Sequence, residues 1–278
     1  MLKSRINTNS GAVFDQVIHR YLRVPYRLHM SVVKKGRRPR QTILFIHGIG
    51  NSGLAWSEVI RQLPDDTRAI TVDLLGFGQS RRPSWVAYDV ATQARAVLRT
   101  CLRYGVTGDM VIVGHSMGAL VAIEFARRYP LLARSLILCS PPLYRQEHRR
   151  LLPNSEAALR RLYRAAHQSP EQFVKLSSLA MKYDLINTSF NVTDENVDSY
   201  MNALEAAIIN QSSLQDIRKL TLPIHIIRGS LDPVLVSRPI KQLAKDQPNV
   251  TVSTVAAGHE VRGRFIPKVI EAIAAMRQ

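Results

Sequence analysis

The sequence predicts an α/β protein, a mostly parallel sheet flanked by helices with a helical segment inserted late in it. Three observations carry this. From Thr42 onward, short apolar runs alternate with amphipathic helical patterns, the signature of a parallel sheet covered on both faces. The runs at Thr42–Ile46 and Met110–Val113 are apolar without interruption, as in strands buried on both sides. After Ser140-Pro141-Pro142 the alternation stops, and only helical patterns follow until about residue 216. The expected division is therefore a core formed by 1–142 and 217–278, with 143–216 as a helical lid.

Each element has its own reason. Tyr21 to Val33 reads as two strands around Val24-Pro25, closing on the basic turn Lys34 to Arg40, where Pro39 and the charges suit a sheet edge. Thr42–Ile46 is the first buried strand, followed by the loop His47-Gly48-Ile49-Gly50-Asn51-Ser52-Gly53 and a helix from Leu54 that stops before Pro64. Arg68–Val72 is the next strand, ending in Asp73-Leu74-Leu75-Gly76-Phe77-Gly78-Gln79-Ser80. Tyr88–Tyr104 is a helix closed by Gly105. Met110–Val113 and Ser135–Cys139 are strands separated by a helix to Arg128. In the insertion, Ser169-Pro170-Glu171-Gln172 is a helix start. Thr193-Asp194-Glu195 opens another helix, with Val197, Met201, Leu204 and Ile208 on one face. Strand Ile224–Arg228, helix Arg238–Lys245, strand Val250–Val255 and a helix from Phe265 complete the alternation.

Composition narrows the class. A hydrophobic fraction of 46% and a charged fraction of 21% are those of an ordinary globular protein. No apolar run reaches the length of a membrane span, and Met1 to Ser10 has no apolar core of a signal peptide. Cys101 and Cys139 fall in helix and strand patterns and read as reduced core residues, which fits a cytoplasmic compartment. The charge is unusual: 38 basic against 21 acidic residues, a formal net charge of +17. The basic residues crowd Lys34–Arg40 and Arg145–Arg164. No nucleic-acid module accompanies them and no aromatics interleave with them, so nucleic acid is not an expected partner. An anionic membrane surface is the partner class the charge leaves open.

The chemistry centres on Gly114-His115-Ser116-Met117-Gly118. A strand that turns directly into a helix bends sharply, and the two glycines remove Cβ atoms that would collide there. The bend holds a serine hydroxyl above the sheet, at a helix N-terminus. A serine hydroxyl is a weak nucleophile and needs an imidazole to take its proton, and the imidazole needs a carboxylate to fix its tautomer. In open parallel sheets such groups sit at the carboxyl ends of strands. Asp232 follows the strand ending at Arg228, and His259 follows the strand ending at Val255. The expected catalytic set is Ser116, Asp232 and His259, in the chain order this motif uses. Expected oxyanion donors are the backbone amides of Met117 and Ile49, the latter from the loop after Ile46. His47 stands beside that loop and joins Leu176, Leu179, Met201 and Leu204 as expected substrate-pocket residues, with Met181 and Ile208 as further candidates. Packing or backbone hydrogen bonding is the alternative for His47, and the same is expected of His115. The remaining histidines show no metal-ligand spacing, so neither a metal nor a cofactor is expected.

The motifs His47-Gly48-Ile49 through Trp56, Asp73 through Ser80, Gly114 through Gly118, Gly229-Ser230-Leu231-Asp232 and Gly258-His259 resemble the α/β-hydrolase superfamily. The resemblance is to its lid-bearing serine esterase and lipase-like branch, and it covers the chain from about Val24 to the C-terminus. It implies the α/β-hydrolase fold and hydrolysis of a carboxylic ester-type bond through an acyl-enzyme. A small-molecule ester or lipid, such as a monoacylglycerol or lysophospholipid, is the implied substrate. Ser116 stands where epoxide hydrolases and haloalkane dehalogenases of this superfamily carry aspartate, which argues against both chemistries. Carbon–carbon bond hydrolases often have Asn where this chain has His115; that reading stays open as an alternative.

Two rivals come from other classes. Gly48-x-Gly50-x-x-Gly53 follows a strand and opens a helix, with Asp73 at the end of the next strand, which are the parts of an NAD(P)-dependent oxidoreductase fingerprint. Strands preceding this one, and the unexplained placement of Ser116, Asp232 and His259, argue against it. A non-catalytic ligand-binding protein on the same fold has no need for all three side chains.

Overall fold

The computed structural model describes residues 14–31, 33–144, 168–169, 171–172, 174–175, 192–193 and 195–276. Among the described residues, seven strands form one sheet: β1 (Val33–Lys34), β2 (Gln41–Ile46), β3 (Thr67–Val72), β4 (Met110–His115), β5 (Ala133–Cys139), β6 (Ile224–Gly229) and β7 (Val250–Val255). Their order is β1-β3-β2-β4-β5-β6-β7. Only β1 is antiparallel to its neighbour, pairing Val33 with Ile70 at the sheet edge.

The helices follow the expected alternation. After β2 come a 3₁₀ turn Gly53–Trp56 and α1 (Ser57–Arg61). Then follow α2 (Val90–Arg103), α3 (Met117–Arg128), α4 (Val197–Ala203), α5 (Ser237–Asp246) and α6 (Phe265–Ala275). The strand side chains feed two cores, one on each face. Leu44, Ile46, Met110 and Ile112 pack with Val97, Leu120 and Phe125 of α2 and α3. Ile43, Phe45, Val111 and Val113 pack on the other face with Trp56, Phe265 and Val269. The uninterrupted apolar runs are thus split between two faces by the pleat. Cys101 and Cys139 are free and buried.

Two boundaries differ from expectation. Residues 22–31 form no strand. Pro25 has no N–H to give a ladder, and the Leu28 and His29 amides donate instead to the Thr100 and Ser80 hydroxyls, at 2.8 and 2.9 Å. The helix expected from Tyr88 starts at Val90, because the Asp89 carboxylate accepts from the Thr92 amide at 2.6 Å and caps it. Tyr88 itself takes φ 54° ahead of the cap.

Of the insertion expected at 143–216, the basic run Arg145–Arg164 and Leu176, Leu179 and Met181 lie outside the described residues. The described portion contains α4, which continues into a π turn, Leu204–Ile209. The helix begins at Val197 with Asn196 at its N-cap, later than the start expected at Thr193, whose carbonyl accepts from the Asn196 and Val197 amides in the preceding turn. No helix among the described residues is long and apolar enough to cross a membrane.

Strand order reverses at β2: the chain steps outward to β3 and then crosses back to β4. Loops leaving β2 and β4 therefore diverge, opening a crevice beyond their carboxyl ends. The register sets Ile46 beside Gly114, which brings the loop after β2 next to the turn after β4.

Candidate active site

Ser116 sits at the turn between β4 and α3 with φ 52° and ψ −120°, a conformation non-glycine residues rarely adopt. Such strain costs on the order of 1–3 kcal/mol and persists only where the surroundings fix it. Here the Ser116 amide donates to the Cys139 carbonyl at 2.9 Å and its carbonyl accepts from Ala119 at 3.0 Å. The flanking glycines are required by close approach. A Cβ on Gly118 would lie 2.3 Å from the Ile46 carbonyl oxygen, and one on Gly114 would lie 2.5 Å from that of Gly118. Backbone packing this tight draws β2, β4 and the start of α3 together.

The later strands deliver the other two side chains. The Asp232 carboxylate, in the loop after β6, has no exposed side-chain surface and lies 2.8 Å from His259 Nδ1. Its second oxygen accepts from the Val234 amide at 2.9 Å. Burial pushes the Asp232 carboxyl up, but the hydrogen bond and charge of His259 and the Val234 donor outweigh it and hold it below the ordinary value. Burial alone would lower the His259 pKa; the hydrogen bond and charge of Asp232, with the charge of Glu260, reverse this and leave it raised. With Nδ1–H donated to the carboxylate, the lone pair is on Nε2, the state of a proton acceptor. His115, buried inside the turn, donates from Nε2 to the His259 carbonyl at 2.9 Å, its ring centroid 5.0 Å from that of His259. It thus ties the serine turn to the histidine loop.

Ser116 and His259 line one cavity of about 130 Å³, together with Gly48, Ile49, Asn51, His115, Pro142, Tyr200, Leu204, Ile208, Val234 and Glu260. Met117 opens α3, so its amide is one of the N–H groups a helix leaves without an intrahelical acceptor. Ile49 lines the cavity from the loop after β2, whereas Met117 is fully buried and is not among the lining residues. Leu204 lines the cavity, whereas Met201 is buried and lies outside the lining. The sequence reading missed Tyr200. It lies four residues before Leu204 and eight before Ile208, so the cavity face is the 200/204/208 stripe. Val197 and Met201, from the expected face, pack into the core. Pro142 and Val234 were also missed; each closely follows a strand end, which is the signal that marks them.

His47 does not line the cavity. It is fully buried, accepts from the Leu74 amide at 2.8 Å through Nε2 and donates from Nδ1 to the Gly48 carbonyl at 2.6 Å. Burial is the largest influence and lowers its pKa to about 4, so it stays neutral. Its role is to shape the loop that carries Ile49. Asp73 likewise faces inward. Its carboxylate takes the Gly53 amide at 2.8 Å, the Gln79 amide at 2.9 Å, His29 Nδ1 at 3.1 Å and the Ser31 hydroxyl. An acid only 1% exposed and so engaged has nothing left to bind a ribose, which removes the dinucleotide reading. Among the described residues, no group of three His, Cys, Asp or Glu is placed to hold a metal ion.

Comparison with known proteins agrees with this architecture. Residues 41–261 match the family model described as the alpha/beta hydrolase fold. A probable lysophospholipase of Arabidopsis thaliana, BODYGUARD 4, is 30% identical over 110 residues, which cover 39% of this chain and 26% of that protein. The chain spans about a quarter of the length of the curated relatives it matches first. An uncharacterized hydrolase of Bacillus subtilis, YugF, is 26% identical over 236 residues, 80% of this chain and 84% of that protein. A thermophilic esterase from Thermogutta terrifontis superposes with a TM-score of 0.69 at 22% identity, covering 89% of this chain and 92% of its own. With the family model matching most of its length, the chain belongs to the α/β-hydrolase fold family.

Proposed function

We propose that the protein is a serine hydrolase that cleaves carboxylic esters through Ser116, His259 and Asp232. The observation that carries this is the 2.8 Å contact between His259 and Asp232 on the cavity that also holds the strained Ser116. In the first step His259 Nε2 takes the Ser116 proton as Oγ attacks the ester carbonyl. The carbonyl oxygen gains the negative charge and is held by the Met117 and Ile49 amides. Collapse breaks the bond to the leaving alcohol, which receives the proton from His259. Water then attacks the acyl-enzyme, giving a proton to His259, and the acid departs as Ser116 recovers it. Asp232 holds the imidazole and balances its transient positive charge.

The apolar wall of Ile49, Pro142, Tyr200, Leu204, Ile208 and Val234 suits an acyl chain or alkyl alcohol. A lysophospholipid or monoacylglycerol fits this reading, in keeping with the probable lysophospholipase among the relatives. The test is turnover of p-nitrophenyl esters of increasing chain length, with thioester, lactone and vinylogous diketone substrates alongside. Ester turnover abolished in Ser116→Ala supports the proposal. Diketone cleavage without ester turnover replaces it with carbon–carbon hydrolysis, and no turnover of any of these rejects it.

A further inference from the structure

A second cavity, of about 460 Å³, lies apart from Ser116 and is lined by His19, Arg20, Arg23, Val24, Pro25, Tyr26, Trp85, Val86, Ala87, Thr92 and Arg95. Among the described residues, three guanidinium groups border it and no carboxylate does. The nearby acids are already engaged: Asp15 pairs with Arg81 at 2.6 Å and accepts from Tyr26 at 2.9 Å, and Asp89 caps α2. Arg20 and Arg23 are exposed, and Arg95 spends one donor on the Thr92 hydroxyl at 2.9 Å. Most of the fork donors therefore stay available to the oxygens of an anion.

The same segment carries an apolar surface. Phe14, Val17, Tyr21 and Leu22 are 68%, 42%, 69% and 66% exposed. Phe14, Val17 and Tyr21 follow helical spacing, so these side chains form a stripe rather than scattered contacts. Tyr21 and Leu22 fall between Arg20 and Arg23, placing apolar groups and cations along one edge. The segment is fixed to the body of the protein. His19 Nδ1 donates to the Val24 carbonyl at 2.7 Å and its ring stacks on Tyr26 at 3.7 Å, while the Arg99 guanidinium donates to the Pro25 carbonyl. A rigidly held apolar stripe beside an arginine-lined pocket, on a chain of net charge +17, matches a surface of acyl chains and phosphates.

We propose that this cavity takes the phosphate headgroup of an anionic phospholipid while the stripe enters the acyl boundary, docking the protein on a bilayer. The site goes beyond the ester-hydrolase reading, since it uses no residue of that site.

The test is co-sedimentation of the full chain with phosphatidylcholine vesicles and with vesicles that also contain phosphatidylglycerol. Binding should require the anionic lipid and weaken as salt rises. Each of Arg20→Ala, Arg23→Ala and Arg95→Ala should weaken it about fivefold. Phe14→Ser/Tyr21→Ser/Leu22→Ser should abolish it, with thermal melting showing that each variant is folded. Glycerol 1-phosphate and inorganic phosphate, followed by titration calorimetry, separate a membrane from a free phosphate. Weak binding that the arginine substitutions remove agrees with the proposal. Tight binding of either soluble anion, with no binding to vesicles, overturns it, as does vesicle binding that ignores lipid charge or the arginine substitutions.

Discussion

Asp73 and Asp232 each follow the end of a parallel strand, have side chains shielded from solvent, and are held below the ordinary carboxyl value. They nonetheless do different work. Asp73 is met by two backbone amides, a hydroxyl and an imidazole, all from segments it knits together. Asp232 is met by one amide and by His259, whose ring reaches a cavity wall. The imidazoles divide the same way: both nitrogens of His47 serve backbone groups, while His259 gives Nδ1 to Asp232 and lines the cavity. A carboxylate surrounded by backbone donors stabilises a loop. One that spends an oxygen on an imidazole lining a cavity is placed to hold a base, the part the proposed hydrolysis gives it.

The largest effects should come from the second cluster. Ser116→Ala, His259→Ala and the double variant should each lose about 10⁴-fold or more in kcat, and by nearly the same factor, because groups acting as a unit are not additive. Steady-state ester kinetics check this; a double variant far worse than either single contradicts the pairing. Asp232→Asn should cost about 10⁴-fold in kcat by fixing the wrong tautomer. It should also displace the acid limb of the pH profile. His259 must be neutral to accept a proton, and its pKa is raised above the ordinary 6.5, so activity should rise with pH through a value above 6.5. Without the Asp232 charge that limb moves down.

Asp73→Ala should act on stability. It leaves buried donors of Gly53, Gln79, Ser31 and His29 unmatched, at a cost of about 3–5 kcal/mol, and lowers Tm by on the order of 10 °C. The sign follows from its depressed pKa: Asp73 contributes stability above its unfolded pKa, and that contribution is lost as pH falls through the lower folded value. Chemical denaturation of wild type and variant at neutral and acid pH checks both points. His115→Ala should be the mildest, lowering kcat about fivefold by freeing the His259 carbonyl. His115→Gln, which keeps a donor, should recover part of the loss.

The comparison also shows what the chain made readable before folding. Apolar runs and the Gly-x-Ser-x-Gly turn marked the sheet, because burial and steric exclusion act on neighbours in sequence. Asp232 and His259 were readable as strand-end residues, since topology gathers those ends on one rim. Asp73 shares that signature, and only its partners, forty-odd residues away at His29 and Ser31, separate it from Asp232. The loop at 22–31 was misread as strand for a similar reason: Thr100 and Ser80, which take its amides, are distant in sequence. Tyr200 was hidden by a helix phase that hydrophobicity alone leaves ambiguous, the core and cavity faces both being apolar.

The most direct measurement is covalent labelling with a fluorophosphonate, located by peptide mass mapping. The account predicts one adduct, on Ser116, formed rapidly in the wild type, slowly in His259→Ala and not at all in Ser116→Ala. An adduct on another residue, or ester turnover that persists after Ser116 is removed, would contradict it.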